Sequence, residues 1–428
     1  MRKQIYILQT ISLLLLTGNA FSQETEKKTI PVSLIQYLSN VSKENLGYIA
    51  EQFNVSIAEA EVKASNVFPD PEITFGYSNN QDQVLKMGQG LETGISYPIS
   101  FGNRRSANMA LARTQYELAE LALSEYLSNL RADAMLSYFK VLKSQKRYLL
   151  QEETYTQLQK LARADSLRLT VGEANETETL QSEVEASAQL NLVDQCKAEM
   201  QNAFANLFRL EGKTMNDTLY EPSDDFPVKT RDFSLPVLIE EALKNKVELK
   251  IAVKNKEISE KNFQLLKANR AFEFNLQAGY AYSSTVRNEI APTPSFSSYS
   301  AGVSIPLKFS NRNKDAVKAA KLTIRQNETT CRSVELQVIT DIVQAYNTYD
   351  AQKKQLEHFN KGLTDKAGKI LKSRIYSYQR GESGLTEVIN ARHTYNDIVN
   401  NHLETLYNYA SALVELERVT GIWDLGEI

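Results

Sequence analysis

Gly94-Ile-Ser-Tyr-Pro98-Ile-Ser-Phe101-Gly-Asn103-Arg104 recurs as Gly302-Val-Ser-Ile-Pro306-Leu-Lys-Phe309-Ser-Asn311-Arg312, with Gly, Ser, Pro, Phe, Asn and Arg at the same spacing. Apolar and polar residues alternate through both copies. Leu91, Thr93, Ile95, Tyr97, Ile99 and Phe101 share one parity, and Glu92, Gly94, Ser96, Pro98 and Ser100 the other. In the second copy Tyr299, Ala301, Val303, Ile305, Leu307 and Phe309 oppose Ser298, Ser300, Gly302, Ser304, Pro306 and Lys308. A period of two is the mark of a β-strand. A similar run precedes each copy, carrying Ile73, Phe75 and Tyr77 in the first and Phe272, Phe274, Leu276, Ala278, Tyr280 and Tyr282 in the second. The expectation is four strands, at residues 72–79, 91–101, 272–283 and 297–309. Such lengths suit tilted transmembrane strands of about 9–11 residues. One face is apolar and aromatic and the other small and polar, as in an outer-membrane barrel. A half-buried soluble sheet alternates in the same way.

The polar loops 79–90 and 283–295 join the strand pairs and are candidates for the cell exterior. Four strands cannot close a membrane barrel, since known ones start at about 8. An open strand edge in lipid leaves backbone groups without partners, at several kcal/mol each. If the strands span a membrane, the chain must share its barrel with other copies.

The duplication extends beyond the strands. Gly76 corresponds to Gly279, Gly172-Glu173 with Thr177-Glu178 to Gly381-Glu382 with Thr386-Glu387, and Gly212 to Gly421, at offsets of 203 to 209 residues. Two proline-free blocks, Ile99 to Glu221 (123 residues) and Leu307 to Ile428 (122 residues), occupy matching places. Because proline breaks helices, each block reads as helical. Val338, Ile342, Ala345, Tyr349, Gln352, Leu356, Phe359, Leu363, Lys366 and Ile370 step by fours and threes, the coiled-coil period. Leu127, Leu130, Ala134, Ser137, Val141, Leu150, Leu158 and Leu161 form a looser version in the first half. Gly172 and Gly381 fit the turns between an outgoing and a returning helix. Such hairpins could serve only as spacers, or could line a tube with helices from other copies. Shorter helices are expected at 34–66 and 235–269. The expected organisation is a signal peptide (1–22), a first repeat (23–212, hairpin 103–212), a connector (213–235) and a second repeat (236–428, hairpin 311–421).

Composition sets limits. A mean hydropathy of −0.38 excludes repeated apolar helical spans. Arg2 and Lys3, the mostly apolar stretch Ile5 to Leu16, and Ala20-Phe21-Ser22 fit a secretory signal cleaved before Gln23. The net charge of −3 gives no basic surface for nucleic acid. Cys196 and Cys331 lie in helical pattern, where a small buried residue is commoner than a disulfide, and the sequence leaves their pairing open. Three His (His358, His393 and His402) form no metal-ligand cluster, and no grouping of catalytic side chains supports an enzyme. No metal site or cofactor is therefore expected.

The segments from Pro69 to Gly76 and from Gly94 to Arg104, their second-half counterparts, and the turn Gly381 to Ala391 resemble the TolC family of outer-membrane efflux proteins. The resemblance spans about residues 31 to 422. It implies a mainly α fold with a β-barrel portion, built from a duplicated strand-pair and long-helix-hairpin repeat. Three chains would form a 12-stranded outer-membrane barrel continued by a periplasmic α-helical barrel. The N-terminal segment and connector would contribute to an equatorial belt. The implied function is the passive exit duct of a tripartite efflux or type I secretion system in a Gram-negative bacterium. Its partners would be its own copies, outer-membrane lipid, a periplasmic adaptor and an inner-membrane transporter. The alternative reading is a periplasmic adaptor with coiled-coil hairpins.

In the same family, polar links hold the periplasmic entrance shut. By position in the turn motif, the resemblance assigns that role to Glu178, Tyr378, Glu387 and Asn390. Three copies of Glu387 would form an acidic ring, unless Glu387 is only a solvated helix-surface residue. Ser383 stands where the family type has a basic residue, and Arg380 is near enough to substitute. Val171, Gly172, Glu173, Arg380, Gly381 and Glu382, at the hairpin tips, are the candidate adaptor contacts.

Overall fold

Alternation and heptad spacing resolve into a definite order of elements in a computed structural model, which describes residues 28–82, 86–172, 175–214, 218–271, 273–307 and 312–424. The expected signal peptide lies outside the described residues. In chain order the elements are β1 (Lys28–Val32), α1 (Leu34–Glu44), α2 (Leu46–Ser65), β2 (Glu72–Asn79), β3 (Gln89–Ser100), α3 (Arg104–Thr170), α4 (Glu176–Leu210) and β4 (Thr218–Pro222). The second half continues with α5 (Leu235–Asn245), α6 (Val247–Ala268), β5 (Glu273–Ser283), β6 (Phe296–Ser304), α7 (Arg312–Phe359), α8 (Leu363–Gln379) and α9 (Leu385–Thr420).

The chain divides into two compact units. One comprises Met1–Asn45, Asp133–Val228 and Gln355–Ala410; the other comprises Leu46–Ala132, Lys229–Lys354 and Ser411–Ile428. Neither unit is a sequence repeat, because α3, α7 and α9 each supply residues to both.

The second unit contains the four-stranded sheet. Its order is β2-β3-β5-β6 and every neighbouring pair is antiparallel. The two sequence hairpins are thus joined through β3 and β5, leaving β2 and β6 as edges. The strands differ from expectation at their ends. β3 covers 89–100 instead of 91–101, β5 covers 273–283 instead of 272–283, and β6 covers 296–304 instead of 297–309. β6 stops short of Pro306, which has no N–H to offer the ladder. Phe272, Lys308 and Phe309 lie outside the described residues. Pro98 sits inside β3 opposite Asn275. It is tolerated because β2 has ended there, its last pair being Glu72 with Ser96.

One sheet face exposes large apolar side chains, among them Phe75 at 82% and Tyr299 at 84%. Tyr280 and Tyr299 face each other across β5 and β6 with ring centroids 5.4 Å apart. Such exposure over four neighbouring strands is far from a monomer's usual surface. Among the described residues no helix is long and apolar enough to cross a membrane.

The first unit adds a two-stranded parallel pair, β1 with β4, that the sequence pattern did not indicate. α1 begins with a reciprocal capping box between Ser33 and Gln36. Tyr37 is fully buried and donates from its hydroxyl to the carbonyl of Leu207 (3.1 Å), while the Asn45 amide donates to the carbonyl of Leu210 (2.8 Å). These bonds tie the end of α4 to the N-terminal segment. The two expected short helices, 34–66 and 235–269, are each broken once, at Asn45 and Lys246, into α1 with α2 and α5 with α6.

The expected coiled-coil stripe holds only to Leu356. Val338, Ile342, Ala345, Tyr349 and Leu356 are buried, but Leu363 and Ile370 are 43% and 57% exposed. Beyond the break the buried residues are Ala367, Leu371 and Tyr378. The stripe has moved by one residue. The cause is Asn360-Lys361-Gly362, where Gly362 adopts φ 81° and the helical rotation per residue is interrupted. The outgoing arm of the second hairpin is therefore two helices, whereas α3 runs unbroken through the first.

Candidate functional site

The first unit brings together two helix turns from the two repeats. In the first, α3 ends at Val171-Gly172 with Gly172 at φ 77°, and α4 begins at Asn175, whose side chain accepts from the Thr177 N–H at 3.0 Å. In the second, α8 ends at Arg380-Gly381 with Gly381 at φ 74°. Positive φ at both turns explains the repeated glycine.

Tyr378 is the expected residue that the structure ties to a buried partner. It is buried, and its hydroxyl donates to Asp165 Oδ1 at 2.6 Å. Asp165 is 1% exposed, and its Oδ2 has no hydrogen-bond partner among the described residues. Arg168 lies one turn on, with Nη1 3.9 Å from Asp165 Oδ1 and its guanidinium 5.4 Å from the Tyr378 ring. Burial first, then the bond to Asp165, pushes the Tyr378 phenol well above its ordinary pKa. Glu178, half-buried on α4, adds a smaller push in the same direction. Leu385, Val388 and Ile389, all nearly inaccessible, pack with Tyr378, and Leu161 and Ile375 close around them. The bond thus links α8 to α3 inside an apolar collar, where loss of a partner is costly.

Further polar links run along α3. Gln157 accepts from Arg392 Nη1 (2.5 Å), Thr154 donates to Asn396 (3.2 Å), and Gln151 accepts from Gln189 (2.7 Å). Lys143, nearly buried, pairs with Glu404 at 2.8 Å and lies 4.3 Å from the Tyr407 ring centroid. Burial draws the Arg392 guanidinium below its ordinary pKa. These helices are held together by polar cross-links inserted between apolar layers.

The other expected residues are placed differently. Glu387 is exposed and already paired: Arg374 Nη1 donates to its Oε2 at 2.6 Å. Asn390 is exposed, and its backbone carbonyl accepts from the Thr394 hydroxyl. Arg380 stays within its own turn, 3.7 Å from Glu382 and 5.1 Å from the Tyr376 ring centroid. The Ser383 hydroxyl oxygen is buried without a partner among the described residues. Val171, Gly172, Gly381 and Glu382 are exposed at the turns, and Glu173 lies outside the described residues. Cys196 and Cys331 are both free thiols. Among the described residues no group of three His, Cys, Asp or Glu could hold a metal ion.

Sequence reasoning missed Asp165, Arg168 and Arg374. Asp165 had a signal. Gln151, Thr154, Leu158, Ala162 and Asp165 are buried at helical spacing, so an acid stands in a core position. Arg374 had none, because its pairing with Glu387 depends on how α8 meets α9.

A family model described as outer membrane efflux protein matches residues 44–213 and 238–422. The cobalt-zinc-cadmium resistance protein CzcC of Cupriavidus metallidurans is 20% identical over 395 residues, covering 91% of this chain and 90% of that protein. Among solved structures, CusC superposes with a TM-score of 0.73 at 16% identity, covering 94% of this chain and 95% of its own. The open state of the Neisseria gonorrhoeae MtrE outer membrane channel gives 0.72 at 14% identity, covering 91% and 88%. The fold is that of these outer-membrane channels.

Proposed function

The chain belongs to the outer membrane efflux protein family, and from that membership we propose that three copies assemble into one exit duct of a tripartite export system. The observation that carries this reading is the open four-stranded sheet with an apolar outer face and two edge strands, β2 and β6. An edge cannot remain open in lipid. Pairing β6 of one copy with β2 of the next, three times over, satisfies every edge and gives twelve strands, an allowed barrel size. The signal-like residues 1–22 deliver the chain to the periplasm.

In this assembly the two turns of the first unit form the periplasmic entrance. The Tyr378–Asp165 bond holds it closed, and Val171, Gly172, Arg380, Gly381 and Glu382 face the adaptor. Opening breaks the bond and swings α8 away from α3. The protein performs no chemistry. Cargo choice belongs to the transporter that the duct serves, because a duct meets its cargo only as something that passes.

The test is extraction of the full chain from outer membranes in mild detergent, followed by light scattering. A particle of three chains that conducts ions in a planar bilayer is expected. A monomer, or release with the soluble periplasmic fraction, would sink the reading.

A further inference from the structure

The face of the sheet opposite the apolar one carries mostly small and polar residues, with Phe296 at one end. Cross-strand register places Gly76, Glu92, Ala281 and Ser298 in one row. The row on one side is Thr74, Gly94, Gly279 and Ser300, and on the other Ser78, Gly90, Ser283 and Phe296. Glu92 is therefore the single charged side chain in three successive rows. Gly76 lies directly opposite Glu92, with room at its position for no more than ordinary contact with the Glu92 side chain. None of the four strands contains Lys or Arg. The other charges on this face are Glu72 and Glu273, and Glu273 lies 3.6 Å from Arg104. Glu92 is exposed and makes no ion pair among the described residues.

We propose that Glu92 sets the charge preference of the barrel bore, its three copies forming a ring that enriches cations and depletes anions at that level. The proposal rests on the trimeric channel reading above. Rings of like charge in a low-dielectric wall concentrate counter-ions and set selectivity. Ser300 occupies the equivalent place in the second repeat, so the ring has three members and not six. The effect depends on salt, because the screening length falls from about 30 Å at 0.01 M to about 3 Å at 1 M.

The experiment reconstitutes full-length wild type, Glu92→Gln, Glu92→Ser and Glu92→Lys in planar bilayers and reads reversal potentials under a salt gradient. The cation-to-anion permeability ratio is expected to fall about twofold or more in Glu92→Gln and Glu92→Ser, and further in Glu92→Lys. The differences should shrink toward 1 M salt. Glu92→Ser borrows the second repeat's residue and guards against a defect peculiar to one substitution. Conducting variants with wild-type ratios in dilute salt overturn the proposal. A Tyr378→Phe trimer that does not conduct overturns the channel reading instead.

Discussion

Tyr378→Phe removes one oxygen and keeps the ring. The apolar contacts with Leu385, Val388 and Ile389 remain, so the change isolates the bond to Asp165. That bond joins a phenol to a carboxylate only 1% exposed. Hydrogen bonds to charged groups contribute about 1.5–3 kcal/mol. At about 1.4 kcal/mol per decade, the closed-to-open ratio should fall about 10- to 150-fold per chain, if the bond exists only in the closed entrance. The assay is single-channel recording of full-length protein, with open probability as the readout. Asp165→Asn should act in the same direction, and the double variant should give less than the sum, because both members serve one bond. Thermal unfolding supplies the contrast. A lower melting temperature with wild-type open probability would falsify the latch, showing that the bond persists through opening and only stabilises the fold.

Other outcomes follow from the same unit. Because Arg374 pairs with Glu387, Glu387→Gln should leave the guanidinium unbalanced and lower cation preference, whereas Arg374→Gln should leave the carboxylate unbalanced and raise it; an unchanged reversal potential in either single variant would contradict the reasoning. Gly362→Ala should cost about 1–2 kcal/mol in unfolding free energy, because φ is 81° there, although nothing lies within 4 Å of the added Cβ; a neutral result would mean that the break relaxes. Burial pushes the Tyr138 phenol up to about 12, and the phenols of Tyr37 and Tyr378 are raised as well. Above pH about 10 the unfolded chain loses these protons while the folded chain keeps them, so stability present below pH 10 should decline as pH rises toward 12. Melting temperatures across that range should fall, and less steeply in Tyr138→Phe.

The strands were readable because one face meets a different medium from the other, which imposes alternation residue by residue. The parallel pair of β1 and β4 was not. Lys28–Val32 and Thr218–Pro222 are short, contain Pro31 and Pro222, and pair across about 190 residues of sequence. Nothing local marks them. The heptad reading failed at Asn360 for a related reason. Leu363 and Ile370 continue the apolar spacing perfectly well, and only the backbone at Gly362 turns them outward. At the helix turns, Tyr378 came from resemblance, while its partner Asp165 needed the packing of α8 on α3 to be seen. The placement of Glu387 beside Arg374 likewise depends on tertiary contact.

The order β2-β3-β5-β6 also dictates a sequence of events in time. Gly90 pairs with Ser283, so the central ladder joins strands separated by the whole first helical hairpin and the connector. Contacts of such separation form slowly. As the chain emerges from its N-terminus, β2 and β3 are available long before β5 exists. The first hairpin must wait with the β3 edge unpaired while α3 and α4 emerge and fold. Until β5 arrives, the open edge of β3 is the kind of unpaired strand that invites aggregation.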